Sequence, residues 1–198
     1  MMTDDLNKLS SEELGHLFPV VIIDYNPEWP GMYLLEKQII LSAADSGSIV
    51  RIEHIGSTAV PGLCAKPTID ILVEISCGTD CGFFVTSLEK IQYRFIPKPE
   101  NPPPHMMLAK GYSNKGFTGQ PFHIHVRYPG IWDELIFRDY LIKNPDTARK
   151  YAELKRMLAS VYPNDREKYT DSKSDFIIST TKKAREDRNR EKDFNNYL

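Results

Sequence analysis

The chain has 198 residues, of which 25 are basic and 27 acidic, so its formal net charge is −2. This length is typical of one domain, and 41% hydrophobic with 26% charged residues is typical of a globular protein. The charge argues against bulk binding of nucleic acid, and no apolar run approaches the roughly 20 residues that span a bilayer. The polar N-terminus does not resemble a signal peptide. We therefore expect one domain over residues 1–198, located in the cytoplasm and without a membrane partner.

Apolar runs and turn residues predict the elements of the first half of the chain. Asn26 is the predicted N-cap of a helix, with Pro27 at its first position. Two β-branched runs follow, separated by a segment that begins at Gly56 and is rich in Gly and Pro. The predicted elements are a polar segment at 1–15 ordered only by docking, a strand at 20–23, a helix from 27 to about 44, and strands at 49–55 and 68–75.

The second half predicts a helix, three strands and then helices alone. Thr79 or Asp80 is the predicted cap of the first of these helices. Prolines at 97–104 exclude a helix there and predict an extended loop. The remaining predictions are strands at 93–96, 106–112 and 122–127, a connection at 113–119, helices near 131–141, 151–161 and 169–180, and an exposed helical tail at 182–196. Strands followed by helices favour an α+β fold with a helical C-terminal third.

Alternation along the strand at 68–75 places Asp70, Leu72 and Glu74 on one face and the isoleucines and Val73 on the other. The isoleucine face is predicted to be core. Asp70 and Glu74 lie roughly 13 Å apart along a strand, so they cannot share two ions that lie about 3.5–4 Å from each other. Asp70 is therefore the acid predicted to have a chemical role.

The sequence His123-Ile124-His125 puts two imidazoles on one face of a strand. Their backbone rise of roughly 6.6 Å suits two ligands of a single ion. Asp70 would complete a site of two histidines and one carboxylate. The alternative is that both histidines lie on a solvated or hydrogen-bonded sheet face.

A phosphate site is predicted at the turn that begins with Gly56. Backbone N–H groups after the glycine, and the Ser57 hydroxyl, would donate to an anion. Lys66 would meet a phosphate as a point charge, or else be a solvated loop lysine. His54, just before the turn, is predicted to be a hydrogen-bonded structural residue.

Two further cations lie on the predicted C-terminal helices. Arg138 would clamp a phosphate, or else pair with Asp139 or Glu134. Lys173 likewise would contact a phosphate, or else have only a structural role.

Several long motifs in a fixed order resemble the GrpB family, over about residues 18–185, with 1–17 and 186–198 as tails. The motifs are DYNPEWP at 24–30, HIGSTAVPGL at 54–63, AKP at 65–67, IDI at 69–71, HIHV at 123–126, FRDYL at 137–141, YAELK at 151–155, YTDSK at 169–173 and FI at 176–177.

The resemblance implies a branch of the nucleotidyltransferase superfamily, with a mixed sheet flanked by helices. In that superfamily a glycine-serine turn holds phosphates and carboxylates on the next strand bind Mg²⁺. Gly56 and Ser57 match the first role and Asp70 the second. The chain departs from the pattern at Leu72, where a second acid is expected, and His123 and His125 lie where a later-strand acid would be sought. GrpB-like domains also occur fused to dephospho-coenzyme A kinases, which implies a folding or interaction role there.

We therefore hypothesise transfer of a nucleotidyl group from a nucleoside triphosphate to an unknown acceptor. Asp70 and His123 would be the catalytic residues, and Asp70, His123 and His125 would hold Mg²⁺ or Mn²⁺, with Zn²⁺ as a further candidate. The phosphate ligands would be Gly56, Ser57, Lys66, Arg138 and Lys173. The alternative is a nucleotide-binding, metabolite-binding or partner-stabilising domain without turnover, which Leu72 favours. A metal-dependent hydrolase ranks third because no general base is apparent.

Overall fold

The computed structural model describes residues 6–97 and 103–196. Five strands form one mixed sheet in the order β1-β2-β5-β4-β3, in which β2 and β5 are parallel and the other pairs antiparallel. The strands are β1 (Ile49–Ile55), β2 (Ile69–Ile75), β3 (Arg94–Ile96), β4 (Met106–Ser113) and β5 (Gly116–Arg127). The helices are α1 (Ser11–Leu17), α2 (Trp29–Ala43), α3 (Cys81–Glu89), α4 (Asp133–Lys143), α5 (Pro145–Val161), α6 (Arg166–Asp171) and α7 (Ser174–Asn196). The predicted α+β fold is confirmed.

One face of the sheet forms the main core, as alternation along β2 predicts. Ile69, Ile71, Val73 and Ile75 are fully buried and pack with residues of α2 and α3 and with the matching face of β4 and β5. Apolar side chains at every second position thus bury one whole face of the central strands, which stabilises the sheet through removal of apolar area from water.

The other face of β2 is also covered, which the alternation argument did not foresee. Leu72 is fully buried and Glu74 is 3% exposed. Residues of the 56–63 segment pack with α4 and α5 in a second cluster that contains Val60, Leu63 and Phe137. The C-terminal helices therefore cover one part of this face and leave another part open.

Cap residues explain where several helices begin. Asp80 caps α3, since its carboxylate accepts from the Phe83 N–H at 3.0 Å, which agrees with one of the two predicted caps. Helix α2 begins at Trp29, two residues later than predicted, and Asn26 accepts from the Glu28 N–H before the helix starts. The prediction for 1–15 missed α1, which has a capping box between Ser10 and Glu13.

Three further element predictions are corrected. Residues 20–23 form no strand; Ile23 makes an isolated bridge with Ala65. The connection at 113–119 is mostly strand, because β4 and β5 pair up to Ser113 and Gly116. The helix predicted over 169–180 is two helices, α6 and α7, separated at Ser172–Lys173.

The predicted tail helix at 182–196 is the end of α7, and Ala184 in it is buried against α4. Most of the predicted loop at 97–104 lies outside the described residues. None of the helices in 6–97 and 103–196 combines the length and the apolar character that crossing a membrane requires.

Candidate metal and phosphate site

Asp70, His123 and His125 come together on the face of the sheet opposite the main core. The parallel pairing of β2 with β5 places Asp70 directly beside His123. Asp70 Oδ1 lies 3.2 Å from His123 Nδ1 and 3.4 Å from His125 Nε2. The three candidate ligand atoms all lie within 4.8 Å of one another. The predicted convergence of these side chains is therefore present in the fold.

The site favours the protonation states that bind metal ions. Burial by itself would raise the pKa of Asp70, but hydrogen bonds with His123 and His125 and their charges outweigh it and hold this pKa well below its usual range. Burial lowers the pKa of His123, although Asp70 works against the shift. At neutral pH the set is thus a carboxylate with a neutral His123, and metal ligands must be deprotonated in this way.

Tyr112 holds the far side of the His123 ring. Its hydroxyl lies 2.7 Å from His123 Nε2, and the two rings stack at 5.6 Å with an interplanar angle of 12°. With Nε2 engaged by the phenol, Nδ1 is directed at Asp70. In metal sites a partner holds one ring nitrogen while the other binds the ion, and Tyr112 is placed to hold Nε2 in this way while Nδ1 serves as the ligand.

Gly56 lies against the Asp70 carboxylate. Its φ of 72° and ψ of −170° belong to a backbone region that is essentially restricted to glycine. A Cβ at this position would lie 2.6 Å from Asp70 Oδ2. The glycine is therefore required both by backbone conformation and by close approach, and it links the turn to the acid.

The turn itself is a short 3₁₀ helix over Ser57–Ala59. The Ala59 and Val60 N–H groups donate to the Gly56 and Ser57 carbonyls at 3.3 Å, so these two amides are not available to an anion as the sequence had suggested. The amides of Ser57 and Thr58, at the start of the helix, have no carbonyl to reach within it. Of the backbone amides in this turn, these two are therefore the ones that could donate to a phosphate.

His54 supports this turn as a structural residue. It is 8% exposed, and its Nε2 lies 2.9 Å from the Thr58 hydroxyl, which in turn donates to the Thr68 carbonyl at 3.3 Å. Burial lowers the pKa of His54 to about 4. The predicted hydrogen-bonded role is confirmed, because His54 ties the turn to the start of β2.

Lys66 and Lys173 flank the ring of Tyr169, with their ammonium nitrogens 5.4 and 4.3 Å from its centroid. Burial lowers the pKa of each lysine to about 8, and the Asp70 charge opposes both shifts. The break between α6 and α7 positions Lys173 there. Two cations from distant parts of the chain thus lie in the electrostatic field of Asp70.

Ser57 lies beside Tyr151 of α5. Burial raises the pKa of Tyr151, and a hydrogen bond with Ser57 opposes that rise. Next to it, the buried Lys155 ammonium donates to the Cys64 carbonyl. Helix α5 therefore fixes both the turn and the segment that carries Lys66.

Arg138 has other partners. Its Nη1 lies 3.1 Å from Glu53 Oε2 and donates to the His54 carbonyl at 2.8 Å, and its Nε donates to Asp139 at 2.8 Å. The sequence had offered Asp139 or Glu134 as an ion-pair partner of Arg138. The structure shows the pair with Asp139, whereas Glu134 lies 3.5 Å from Arg127. The structure thus ties Arg138 to β1 rather than to the Asp70 cluster.

Sequence reasoning missed four residues around the site. Tyr112, Arg166, Tyr151 and Tyr169 surround it, and Arg166 lies 5.9 Å from the Tyr112 ring centroid and in the field of Lys66. Tyr151 and Tyr169 are the first residues of the motifs YAELK and YTDSK, so the motifs could have pointed to them. No local pattern singles out Tyr112 or Arg166, because only the tertiary fold brings them to β5.

Fold and site together describe an α+β protein with a candidate metal cluster on one sheet face, beside a glycine turn. Residues 19–183 match the GrpB family, described as "GrpB protein". The chain belongs to this family.

The chain is similar to several bacterial proteins. It is 41% identical to the UPF0157 protein PA4798 of Pseudomonas aeruginosa, over 80% of this chain and 64% of that protein. It is 31% identical to the UPF0157 protein BH1888 of Halalkalibacterium halodurans, over 91% of each. A crystal structure of the conserved protein GrpB from Enterococcus faecalis superposes with a TM-score of 0.72 at 30% identity, covering 83% of this chain and 96% of that one.

Some relatives are considerably longer than the matched region. The chain spans 64% of the Pseudomonas protein and 49% of the Bacillus subtilis UPF0157 protein YqkA. It is also 25% identical to a dephospho-CoA kinase of Mycolicibacterium paratuberculosis, over 90% of this chain and 49% of that protein. The chain is thus similar to one part of a longer protein in these cases.

Proposed function

We propose that the chain binds a nucleoside triphosphate together with a divalent cation and transfers the nucleotidyl group to an acceptor. The observation that carries the proposal is the convergence of Asp70, His123 and His125, with ligand atoms within 4.8 Å of one another, directly beside the Gly56 turn. Because the turn and the three ligand atoms are adjacent, one phosphate group could contact the turn and a bound cation at the same time.

The donor set fits a divalent ion. One carboxylate and two imidazoles provide three protein ligands and leave coordination positions for phosphate oxygens. Mg²⁺ prefers an all-oxygen shell, so the two imidazoles favour Mn²⁺ or Zn²⁺ over Mg²⁺. When bound, the ion would neutralise charge that develops on the reacting phosphate.

The surrounding cations suit a polyanionic ligand. Lys66 and Lys173 both lie in the field of Asp70, which is a single negative charge. A bound phosphate would raise the pKa of both lysines from about 8 and keep them protonated. They would act as point charges on the phosphates, and the Ser57 hydroxyl would add a donor from the turn.

Calorimetric titration with Mn²⁺ and α,β-methylene-ATP tests the proposal, because this analogue cannot lose pyrophosphate. Asp70→Asn is expected to weaken Mn²⁺ binding at least tenfold and to weaken binding of the Mn²⁺ complex of the analogue with it. Asp139→Asn, which changes an exposed carboxylate in the same way, should bind both as the unchanged protein does. Equal affinity for Asp70→Asn and Asp139→Asn would refute the proposed site.

A second candidate function is binding without turnover. Leu72, fully buried, stands where a second metal-binding acid would be expected, and this favours a domain that retains the ligand site but not the chemistry. Assays for pyrophosphate release with the four nucleoside triphosphates and Mg²⁺, Mn²⁺ or Zn²⁺ separate the two functions. Release that depends on Asp70 rejects the binding-only function.

A further inference from the structure

A long groove begins at His123 and runs along the open part of the same sheet face. The register places Ala109 of β4 opposite His123 and Met107 opposite His125, and β3 adds Ile96 opposite Met107. Residues directly opposite each other on neighbouring strands share a face. Three apolar side chains therefore lie on the groove floor, with Arg94 of β3 beside Ala109, and the floor extends from the histidines across two strands, or roughly 10 Å at about 4.8 Å per strand.

The walls of this groove come from the N-terminal segment and from α6. Phe18 packs edge-on against Tyr112 with centroids 5.1 Å apart, and Arg166 donates to the Phe18 carbonyl at 3.1 Å. The volume of the groove is about 1060 Å³. Sites for small organic molecules have volumes of about 300–1,000 Å³, so the groove has room for a complete second substrate.

The order of the strands places the groove on a definite side of the candidate metal ligands. The Gly56 turn lies at the β1–β2 side of Asp70, whereas the groove floor is on β4 and β3, beyond the histidines of β5. In phosphoryl and nucleotidyl transfer the attacking and leaving oxygens are roughly in line. With pyrophosphate leaving at the turn, the attacking oxygen must arrive from the groove side.

We propose that this groove binds the acceptor, and that the acceptor is a small organic molecule with an apolar body and a nucleophilic oxygen. The inference rests on the proposed nucleotidyl transfer. The acceptor oxygen forms a bond to the α-phosphorus, the bond from that phosphorus to the bridging oxygen breaks, and pyrophosphate leaves with the electron pair. The acceptor proton passes to water. The apolar floor selects the body of the acceptor by removal of its surface from water.

The fluorescent apolar amine N-phenyl-1-naphthylamine tests the groove directly. The unchanged protein is expected to bind it with an increase in fluorescence. Ile96→Trp, which fills the floor on the edge strand β3, should weaken this binding at least tenfold, and Ala109→Leu should do so at the end nearest His123. Ile131→Trp is the matched control, because Ile131 is 67% exposed and does not line this groove. Equal binding by Ile96→Trp and Ile131→Trp, with both folded by circular dichroism, overturns the proposal.

A second titration separates an acceptor site from a nucleoside site. The probe should bind with unchanged affinity in the presence of saturating Mn²⁺ and α,β-methylene-ATP, since acceptor and nucleotide must be bound together. Displacement by this analogue, but not by inorganic tripolyphosphate, would assign the groove to the nucleoside and overturn the proposal. Calorimetry on the same samples reports separately whether the analogue binds. If it does not bind, the proposed transfer fails, and the acceptor role fails with it whatever the probe does.

Discussion

The two acids of β2 lie on the same face of one strand, yet their surroundings differ in kind. Glu74 is 3% exposed and accepts from Arg51 at 2.9 Å, from the Trp132 indole at 2.8 Å and from the Gly130 N–H at 3.1 Å. The Asp70 side chain is 30% exposed and faces two imidazoles. Glu74 is thus enclosed by groups that can only donate, whereas Asp70 faces groups that can also be ligands.

This difference separates a structural carboxylate from a candidate ligand. The pKa of both acids is lowered although burial acts to raise it in each. For Glu74 the lowering comes first from Arg51, whose guanidinium cannot lose its proton in a protein. For Asp70 it comes from two imidazoles, which can bind a cation with their lone pairs when neutral. A lowered pKa alone therefore does not distinguish the two roles, and the chemistry of the partners does.

Displacement of the Asp70 carboxylate should have the largest effect. Gly56→Ala places a side chain in a backbone region that is essentially glycine-only and puts its Cβ 2.6 Å from Asp70 Oδ2. We expect a loss of about 4 kcal/mol in the free energy of unfolding, of which backbone strain accounts for up to about 3 kcal/mol. Urea denaturation measures it, and Mn²⁺ affinity should fall as well.

Gly62→Ala is the matched control for Gly56→Ala. Gly62 has a φ of 77°, but a Cβ there would meet nothing within 4 Å. It should cost about 1 kcal/mol, from the left-handed φ alone, and leave Mn²⁺ affinity unchanged. Similar losses of stability and of metal affinity in both variants would mean that Gly56 has no special relation to Asp70.

The second prediction compares the two acids by the same chemical change. Glu74→Gln leaves Arg51 facing a neutral amide, and we expect a loss of about 3 kcal/mol, at the low end for a broken buried pair because the Arg51 side chain is 37% exposed. Asp70→Asn should cost about 1 kcal/mol without metal, since the amide keeps an oxygen that can accept from an imidazole and leaves no fixed cation such as Arg51 unpaired. Urea denaturation at pH 7 in a chelating buffer measures both. A larger loss for Asp70→Asn than for Glu74→Gln would reverse the roles assigned to the two acids.

Much of the site could be predicted from the sequence because it depends on strand alternation. The period of two places Asp70 opposite the main core, and it places His123 and His125 on one face whatever the partner strand. The remaining requirement was that β2 and β5 pair in parallel, in the register that puts Asp70 beside His123. The core assignment of Ile69 and its neighbours was correct for the same reason.

The parts that could not be predicted from the sequence depend on contacts between distant segments. The burial of Leu72 could not be predicted, because alternation does not show which helices cover the second face. The position of Lys173 depends on the break after α6. The apolar spacing from Tyr169 to Thr180 predicted one continuous helix and gave no sign of this break. Arg138 was assigned to phosphate by residue type, and its partner Glu53 lies 85 positions away in the chain.

The last prediction concerns His54, which is buried like Glu74 but has a hydroxyl partner instead of a cation. Burial lowers its pKa to about 4 in the folded state, against about 6.5 in the unfolded chain, so the unfolded state binds the extra proton between these values. Stability is therefore fully present above pH 6.5 and is lost as pH falls towards 4. Between pH 7 and 5 we expect a loss of about 2 kcal/mol from this residue.

His54→Gln tests this assignment, because glutamine can reach the Thr58 hydroxyl and cannot gain a proton. Urea denaturation at several pH values should show a shallower decline below pH 6.5 for the variant than for the unchanged protein. The slope that remains belongs to other groups, among them His123, whose pKa is also lowered by burial. An identical decline in both proteins would mean that the acid destabilisation arises at other groups and that the burial of His54 does not contribute to it.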